Sequence, residues 1–299
     1  MKTPPRSISK SSTTSATISS LPTSRVYAGN DFLLFITNKL NSKPHKHPAI
    51  QLNISLSGET ISVDDGNNVV IGQKLLIDSN HRHQIRSHCR WQAVFLLATH
   101  SVIARHLQHS QLQNNEFIAQ LPEDKNQLLK NALLDLAATA PESGLLITKL
   151  AEIFFALHTI SASSAPLADP RLKKVFSCLY QFTETTVSHL KLAKTVAISV
   201  SHLSRFFRHE TGGTLRNFKL WQRTLNGTNL ILQGKSITEA SLEAGFADTA
   251  HFSRSFKRQF GISASTLKQH AKEVFCFDSD SDELLSDAIK KRETDDSYL

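Results

Sequence analysis

The spacing of apolar residues predicts a strand-rich first half and a helical second half. Between positions 26 and 98, apolar residues such as Ile50, Leu52 and Ile54 alternate with polar ones. Turn signals, among them the Asp-Gly-Asn-Asn run at 65–68, separate this segment from further short apolar runs. Many short strands joined by regular turns are typical of a β-sandwich or barrel.

Beyond His100 the apolar spacing becomes that of helices, at 128–136 and 145–157. A Ser/Ala/Pro-rich run at 161–166 is typical of an interdomain linker, and Pro170 suits the first turn of a new helix. The pattern divides the chain into a disordered Ser/Thr-rich N-terminus (1–24), a β-barrel (25–110), a helical dimerisation or linker segment (111–165), an all-α domain (169–270) and an acidic, disordered tail (271–299).

Two segments of the all-α domain repeat one pattern of caps, aromatic anchors and basic residues. The segment 201–208 recurs at 250–257, each preceded by a helix-capping residue, Ser199 or Asp248, and each followed by a glycine. Both helices have an apolar face and a basic face. One such helix would be an ordinary surface helix, but two let a single chain enter two successive major grooves of DNA.

A wider sequence signature surrounds the two repeats. It consists of Leu203-Ser204-Arg205-Phe206-Phe207, Glu210-Thr211-Gly212, Ile237-Thr238-Glu239-Ala240, Ala244-Gly245-Phe246-Ala247-Asp248, His251-Phe252-Ser253-Arg254 and Phe256-Lys257-Arg258-Gln259-Phe260-Gly261. With it, residues 169–268 resemble the DNA-binding domain of the AraC/XylS transcription regulators. The resemblance implies seven helices that form two helix-turn-helix units joined by a central helix.

The chain departs from that family at two places. Ala264, Leu267 and Lys268 stand where the family ends the domain with a proline, an aromatic residue and an arginine. The joining helix contains Asn226-Gly227, and a mid-helix glycine costs roughly 1 kcal/mol relative to alanine. We therefore expect the fold to hold and the joining helix to be the less rigid element.

Position by position, the resemblance implies which side chains contact double-stranded DNA. Those that face bases are Ser201, Ser204 and Arg205 in one major groove, and Thr249, Ala250, Ser253 and Arg254 in the adjacent one. Those that touch phosphates are Arg208, Lys257 and Arg258. Arginine can bind guanine bidentately, whereas phosphate contacts set the register and carry no base information.

Composition supports a DNA-binding protein of the reducing cytoplasm. The formal net charge is +8 at pH 7, and the excess of basic residues lies between 169 and 272. Such a charge attracts phosphate, although a basic patch alone could also bind membranes or acidic proteins. Cys89, Cys178 and Cys276 are too scattered for a disulfide framework, and no apolar run reaches the roughly 20 residues of a membrane span.

The strand-rich half contains one candidate ligand site. His45, His47, Gln51 and Gly58 follow the spacing His-x-His-x3-Gln-x6-Gly, and His83 precedes a later strand. This resembles the first cupin motif, with Gln51 in place of the usual glutamate. The sensor domains of AraC-type regulators look like cupins, and the resemblance implies that they bind an effector without catalysis.

Three interpretations of His45, His47, Gln51 and His83 remain open. They could be structural, they could line an effector pocket at the open end of the barrel, or they could bind a divalent metal. Because Gln51 removes the anionic ligand of a metallocupin, we expect these residues to bind a small effector and expect no metal and no cofactor. No nucleophile triad or paired-carboxylate site is present in the sequence.

The sequence therefore predicts a two-domain transcription regulator, an activator with a cupin-like sensor, and not an enzyme. Its expected partners are DNA, a small-molecule effector, RNA polymerase, and a second copy bound through the N-terminal region. One alternative is a cupin-type metalloenzyme, a dioxygenase or isomerase, fused to a DNA-binding domain. The other is a DNA-binding module whose N-terminal domain only dimerises.

Overall fold

The N-terminal domain is built from short strands, as the alternating pattern predicts. The computed structural model describes residues 23–29, 31–38, 40–112, 116–121, 126–139, 145–160, 169–181 and 187–277. Its strands are β1 (Arg25–Ala28), β2 (Phe32–Thr37), β3 (Ala49–Ser55), β4 (Ile61–Asp64), β5 (Val69–Gly72), β6 (Lys74–Ile77), β7 (Gln84–Ser87), β8 (Gln92–Ala98), β9 (Ile118–Gln120) and β10 (Glu273–Cys276). The predicted linker, the disordered N-terminus up to residue 22 and the acidic run after 277 lie outside the described residues.

Two sheets form from these strands. A seven-stranded sheet has the order β10-β1-β2-β8-β3-β6-β9, and a three-stranded sheet has the order β5-β4-β7. Ile61 and Ile85 of the smaller sheet share a hydrophobic cluster with Leu75 and Ile77 of the larger one. Burial of these side chains holds the two sheets together.

The predicted alternation falls on β3, but both faces of that strand are buried. Ile50 and Leu52 belong to the cluster that packs on the helices of this domain. The polar side chains between them are also inside, Gln51 at 3% and Asn53 at 0% exposure. They hydrogen-bond each other, Gln51 Nε2 donating to Asn53 Oδ1 over 3.0 Å, as buried polar groups must.

Three helices follow the strands where the sequence predicts helical spacing. They cover one face of the seven-stranded sheet and are α1 (Val102–Gln111), α2 (Asn126–Ala138) and α3 (Leu145–Ile160). Strand β9 interrupts the segment that the sequence assigned to helices alone. It adds to the edge of the sheet by pairing with β6, a long-range contact that local periodicity does not encode.

The C-terminal domain contains seven helices within the described residues, the number implied by the family resemblance. They are α4 (Pro170–Gln181), α5 (His189–Thr195), α6 (Val200–Thr211), α7 (Leu215–Leu232), α8 (Ile237–Glu243), α9 (Thr249–Phe260) and α10 (Ala264–His270). Helix α8 begins with a capping box between Ser236 and Glu239. Ala264 and Leu267, which depart from the family pattern, are both buried on α10. No helix among the described residues is long and apolar enough to cross a membrane.

The second face of the seven-stranded sheet is covered by the C-terminal domain. One continuous hydrophobic cluster contains residues of both domains. From the sheet it includes Val26, Phe35 and Leu96, and from the helices Trp221 and Phe260. The sheet is thus enclosed between α1–α3 on one side and the C-terminal helices on the other.

The start of the predicted disordered tail is ordered, which corrects the sequence analysis. Residues 273–276 form β10, which pairs in parallel with β1. Phe275 stacks on Tyr27 with ring centroids 4.9 Å apart, and Glu273 Oε2 lies 2.7 Å from Arg25 Nε. The acidic composition further along the tail concealed a short apolar strand that closes the edge of the sheet.

Gly227 makes α7 compact instead of loosening it. Helix α7 continues through Gly227, which is buried. A Cβ at this position would lie 2.6 Å from Phe252 Cε2 and 3.3 Å from Ala244 Cβ. The glycine therefore allows the second helix-turn-helix unit to pack closely on the joining helix.

The variant Gly227→Ala tests this packing. Overpacking a core costs about 1–3 kcal/mol, and alanine gains about 1 kcal/mol over glycine in a helix. We therefore expect a net loss of up to about 2 kcal/mol in the free energy of unfolding, measured by urea denaturation. The control is Asn226→Ala at the exposed neighbouring position, which should not destabilise. An unfolding free energy of Gly227→Ala at or above the wild-type value would contradict the assignment.

Candidate functional site

Helices α6 and α9 repeat each other in structure as they do in sequence. The side chains of Ser199 and Asp248 cap their N-termini by accepting backbone N–H groups. Both helices end at a glycine in the left-handed conformation, Gly212 with φ 68° and Gly261 with φ 69°. The two helices are therefore matched in both caps, and they are flanked by the other helices of two similar units.

The two faces of these helices differ as the sequence predicts. Leu203 and Phe207 of α6 are 0% exposed, as are Phe252 and Phe256 of α9. These side chains form the core of the two units, and this burial fixes which face points outward. The candidate DNA-contacting residues that are exposed are Ser201, Ser204, Arg205 and Arg208 on α6, and Ala250, Arg254, Lys257 and Arg258 on α9.

Two of the proposed base-facing residues lie deeper than the others. Thr249 and Ser253 are only partly exposed. The Thr249 hydroxyl is 3.1 Å from that of Ser241 on α8, and the Ser204 hydroxyl donates to the Val200 carbonyl. These hydroxyls already have partners, so arginine is the residue type on this surface with the largest unused hydrogen-bonding capacity.

The arginines of this surface have few intramolecular constraints. Within the described residues, no salt bridge or side-chain hydrogen bond holds the guanidinium groups of Arg205, Arg208 or Arg254. A guanidinium presents five donors in a planar fork that suits guanine edges and phosphates. Each helix therefore carries available guanidinium groups on the outward face.

The C-terminal ends of both helices contact the N-terminal domain. At the end of α6, Asn80 Nδ2 donates to the Thr211 carbonyl over 3.4 Å. At the end of α9, the backbone amides of Lys43 and Lys46 donate to the carbonyls of Gly261 (2.8 Å) and Arg258 (3.3 Å). Sequence reasoning missed these contacts, because no local pattern connects loops near 43 and 80 with helices beyond residue 200.

The four predicted effector residues are brought together inside the N-terminal domain. His45, His47 and His83 are buried, and the backbones of His45 and His83 form an isolated β-bridge. Gln51 Oε1 is 2.8 Å from His47 Nε2 and 3.1 Å from His83 Nε2. The three histidines offer ring nitrogens that all lie within 4.8 Å of one another. We call His45, His47, Gln51 and His83 the histidine cluster.

Burial keeps the three imidazoles neutral. Loss of solvation lowers the pKa of His45 to about 3, and the neighbouring His47 lowers it further. The pKa of His47 is lowered mainly by its burial. The pKa of His83 is lowered first by burial and then by His45 and His47. Neutral imidazoles carry a lone pair, so the cluster can accept hydrogen bonds or bind a metal.

A cavity of about 60 Å³ lies where the two domains meet. Its walls include His45, His47 and Gln51 of the cluster, whereas His83 is not among the lining residues. The remaining lining is mostly apolar and comes from both domains, namely Val26, Phe35, Leu40, Ile85, Val94 and Leu96 from the first and Phe260, Ile262, Leu267 and Ala271 from the second. Such a lining suits an apolar ligand with one polar end.

Sequence comparison places the C-terminal domain among known helix-turn-helix proteins. Residues 192–270 match the sequence model of a family described as "Helix-turn-helix domain". The transcriptional activator RhaS of Escherichia fergusonii is 30% identical over 102 residues, which are 34% of this chain and 37% of RhaS. The bifunctional transcriptional activator and DNA repair enzyme Ada of Escherichia coli is 33% identical over 102 residues, 33% of this chain and 28% of Ada. The chain thus spans little more than a third of either relative.

Structural comparison extends the likeness to both domains. ToxT from Vibrio cholerae in its apo form covers 82% of this chain and 100% of its own length, with a TM-score of 0.56 and 14% identity. A ToxT structure with a bound unsaturated fatty acid covers 81% of this chain and 96% of its own length, with a TM-score of 0.51 and 13% identity. At this identity the match establishes the fold.

The chain therefore consists of an AraC-type helix-turn-helix domain behind an N-terminal sheet-rich domain. Its domain arrangement is that of the transcription regulator ToxT. The fold class and the family resemblance derived from the sequence are both confirmed.

The contact at the end of α9 can be tested by Gly261→Ala. An added Cβ would lie 2.6 Å from the Lys43 carbonyl oxygen and 2.7 Å from Ser42 Cβ, both in the N-terminal domain. Gly212→Ala is the matched control, because its φ is 68° against 69° and its nearest neighbour would be 3.7 Å away. We expect Gly261→Ala to lower the unfolding free energy by about 1–3 kcal/mol more than Gly212→Ala.

Limited proteolysis distinguishes a loosened domain contact from general unfolding. Gly261→Ala should be cleaved between the domains faster than Gly212→Ala, because only the former separates α9 from the loop at 42–45. Equal unfolding free energies and equal cleavage rates of the two variants would show that this contact does not hold the domains together.

Proposed function

We propose that this protein is a transcription regulator that binds DNA through α6 and α9 in two adjacent major grooves. The observation that carries the proposal is the duplicated, identically capped helix whose outward face presents available arginines. Net positive charge and the likeness of this domain to the activators RhaS and Ada support it. The names of these relatives favour activation, which requires contact with RNA polymerase in the cytoplasm.

The proposed contacts divide into base-reading and phosphate-binding residues. Arg205 and Arg254 occupy matching positions of the two helices and read bases, with Ser201, Ser204, Thr249, Ala250 and Ser253 beside them. Arg208, Lys257 and Arg258 bind phosphates near the helix ends. Such contacts fix the register of the protein, whereas bidentate arginine contacts to guanine discriminate between bases by about 1–3 kcal/mol.

We further propose that the N-terminal domain senses a small molecule in the cavity between the domains. Fatty-acid binding by ToxT and the apolar lining here support an apolar effector with a polar or acidic end. The polar end would meet His45, His47 and Gln51, and buried Arg25 also lines the cavity. The N-terminal region would also form the contact with a second copy of the chain.

The size of the cavity suggests how the effector acts. A volume of about 60 Å³ holds only about four water molecules. A larger ligand enters only if the sheet and α10 move apart, since both line the cavity. Because α10 directly follows α9, this movement would shift the second recognition helix relative to the first. The effector thereby changes how well both helices fit two grooves at once.

An enzymatic role is the weaker proposal. The cupin-type metalloenzyme alternative needs an open, substrate-sized site, and the cavity described here is small and closed by the DNA-binding domain. We therefore propose that the N-terminal domain binds without catalysing. A purely dimerising N-terminal domain would leave the cavity without a ligand, which the second prediction below tests.

Base reading is tested by Arg205→Ala and Arg254→Ala. Each variant should lose about 1–3 kcal/mol of binding to DNA fragments selected in vitro for the wild-type protein. The loss should map to a different half of the site for each variant, as measured by gel shift with single base-pair changes. Arg90→Ala, an exposed arginine of the N-terminal domain, is the charge-matched control and should bind as wild type. Unchanged affinity and selectivity in both variants would contradict the assignment.

The cavity is tested by Ile262→Trp, which fills it from a half-buried wall position. Wild-type protein should show a higher Tm with an unsaturated fatty acid as the probe, because a ligand of the folded state stabilises it. Ile262→Trp should abolish that rise while retaining binding to the selected DNA. The control Ile71→Trp, at a position 58% exposed on β5, should respond as wild type. A fatty-acid response of Ile262→Trp equal to that of the wild type would place the ligand elsewhere.

A further inference from the structure

The histidine cluster has a hydrogen-bond arrangement that orients all three rings alike. Nδ1 of His45 is 2.9 Å from the Lys43 carbonyl oxygen. Nδ1 of His47 is 3.0 Å from the Ala49 carbonyl oxygen, and Nδ1 of His83 is 2.9 Å from that of His81. Because a carbonyl oxygen only accepts, each Nδ1 carries the hydrogen. Each neutral ring therefore directs the lone pair of Nε2 into the cluster.

Three lone pairs that converge in a buried site need an electron-poor partner. Gln51 presents Oε1 to two of them, and Oε1 is itself an acceptor. Rotating the amide would turn its NH2 toward His47 and His83, but Nε2 of His45 would still lack a hydrogen-bond partner among the described residues. Asn53 Nδ2, beside Gln51, also has no partner in this part of the chain. The protein groups alone therefore do not satisfy the cluster.

A cation at the centre satisfies all of these atoms at once. Ligands about 2.0–2.2 Å from one ion lie roughly 3.0–3.4 Å from each other, and Gln51 Oε1 lies 2.8 and 3.1 Å from two of the Nε2 atoms. Metal-bound histidines donate their other ring N–H to a carbonyl or carboxylate, which orients the ring and fixes the tautomer. All three histidines of the cluster already make that second contact.

We propose that His45, His47 and His83 bind a divalent transition-metal ion through Nε2, with Gln51 Oε1 as an additional ligand. Imidazole ligands suit zinc, copper, iron and nickel. A carboxylate, whose absence argued against a metal in the sequence, is not required, since three imidazoles form an established zinc ligand set. The ion would lie at the polar wall of the interdomain cavity, which His45, His47 and Gln51 line.

The position of the site links the ion to DNA binding, and this part of the inference rests on the proposed function. His45 lies against Gly261, whose added Cβ would be 2.7 Å from His45 Nδ1. The loop that carries His45 and His47 also holds the Gly261 and Arg258 carbonyls through its backbone amides. An ion that fixes this loop therefore fixes the end of α9.

Metal binding is measured first, on the full chain without an affinity tag and without DNA. The protein is stripped with a chelator and titrated with Zn²⁺, Co²⁺ or Mg²⁺. We expect one equivalent of Zn²⁺ and of Co²⁺ to bind, with a visible Co²⁺ absorption band that reports nitrogen ligands. Zn²⁺ should raise the Tm by about 5 °C or more, and Mg²⁺, which prefers oxygen ligands, should not.

Two ligand variants and one control assign the site. His47→Asn and His83→Asn should each weaken Zn²⁺ binding by more than about 100-fold, the upper range for loss of an outer-shell partner. His88→Asn, at an exposed histidine of the same domain, should bind as wild type. If the ligand variants do not fold, the wild-type Co²⁺ spectrum and stoichiometry decide alone. Substoichiometric binding by the wild type, or equal binding by folded His83→Asn, would overturn the proposal.

The link to DNA is measured second, by gel shift with DNA fragments selected in vitro for tight binding. Metal-loaded and stripped wild-type protein should differ in DNA affinity by at least about fivefold, and His83→Asn should show no difference. Stoichiometric metal binding with equal DNA affinities would overturn the link while the site stands. Absence of DNA binding in both forms would instead refute the proposed function, and the metal titration would be unaffected.

Discussion

The contact between the seven-stranded sheet and the C-terminal domain is the interaction on which the rest of the structure depends. Each face of this sheet is apolar, and exposing apolar surface costs about 25 cal/mol per Å². Helices α1–α3 cover one face, and only the DNA-binding domain covers the other, where Val26, Phe35 and Leu96 pack with Trp221. A regulator built in this way has no separate sensor, because the sensor core is completed by the domain that it controls.

This shared core also explains why both recognition helices end on the N-terminal domain. Thr211 at the end of α6 meets the loop at 79–80, and Gly261 at the end of α9 meets the loop at 42–45. The N-terminal domain therefore holds equivalent points of the two helix-turn-helix units. Two helices that must enter successive grooves need a defined spacing, so a ligand that disturbs this contact changes the fit to DNA without touching the recognition residues.

The histidine cluster is a polar group set inside that apolar contact. Buried polar groups are stable only when they are satisfied, and here the cluster lies between the strands and α9, with His47 5.6 Å from Trp221 between ring centroids. Its motif spacing allowed the sequence to name all four residues. The ring orientations, the convergence of Nε2 atoms and the contact with Gly261 could not be derived from spacing, because they depend on where loops and helices of the other domain lie.

The sequence by itself determined the features that are local in the chain. Helix caps, the amphipathic faces of α6 and α9 and the alternation along β3 depend on residues within a few positions of one another, so the two recognition helices and their outward arginines could be predicted. The tertiary structure alone decided the contacts between distant segments. Gly227 makes room for Phe252, residues 273–276 extend the sheet at β1, and both faces of β3 are buried, because each depends on the packing of elements that no local periodicity brings together.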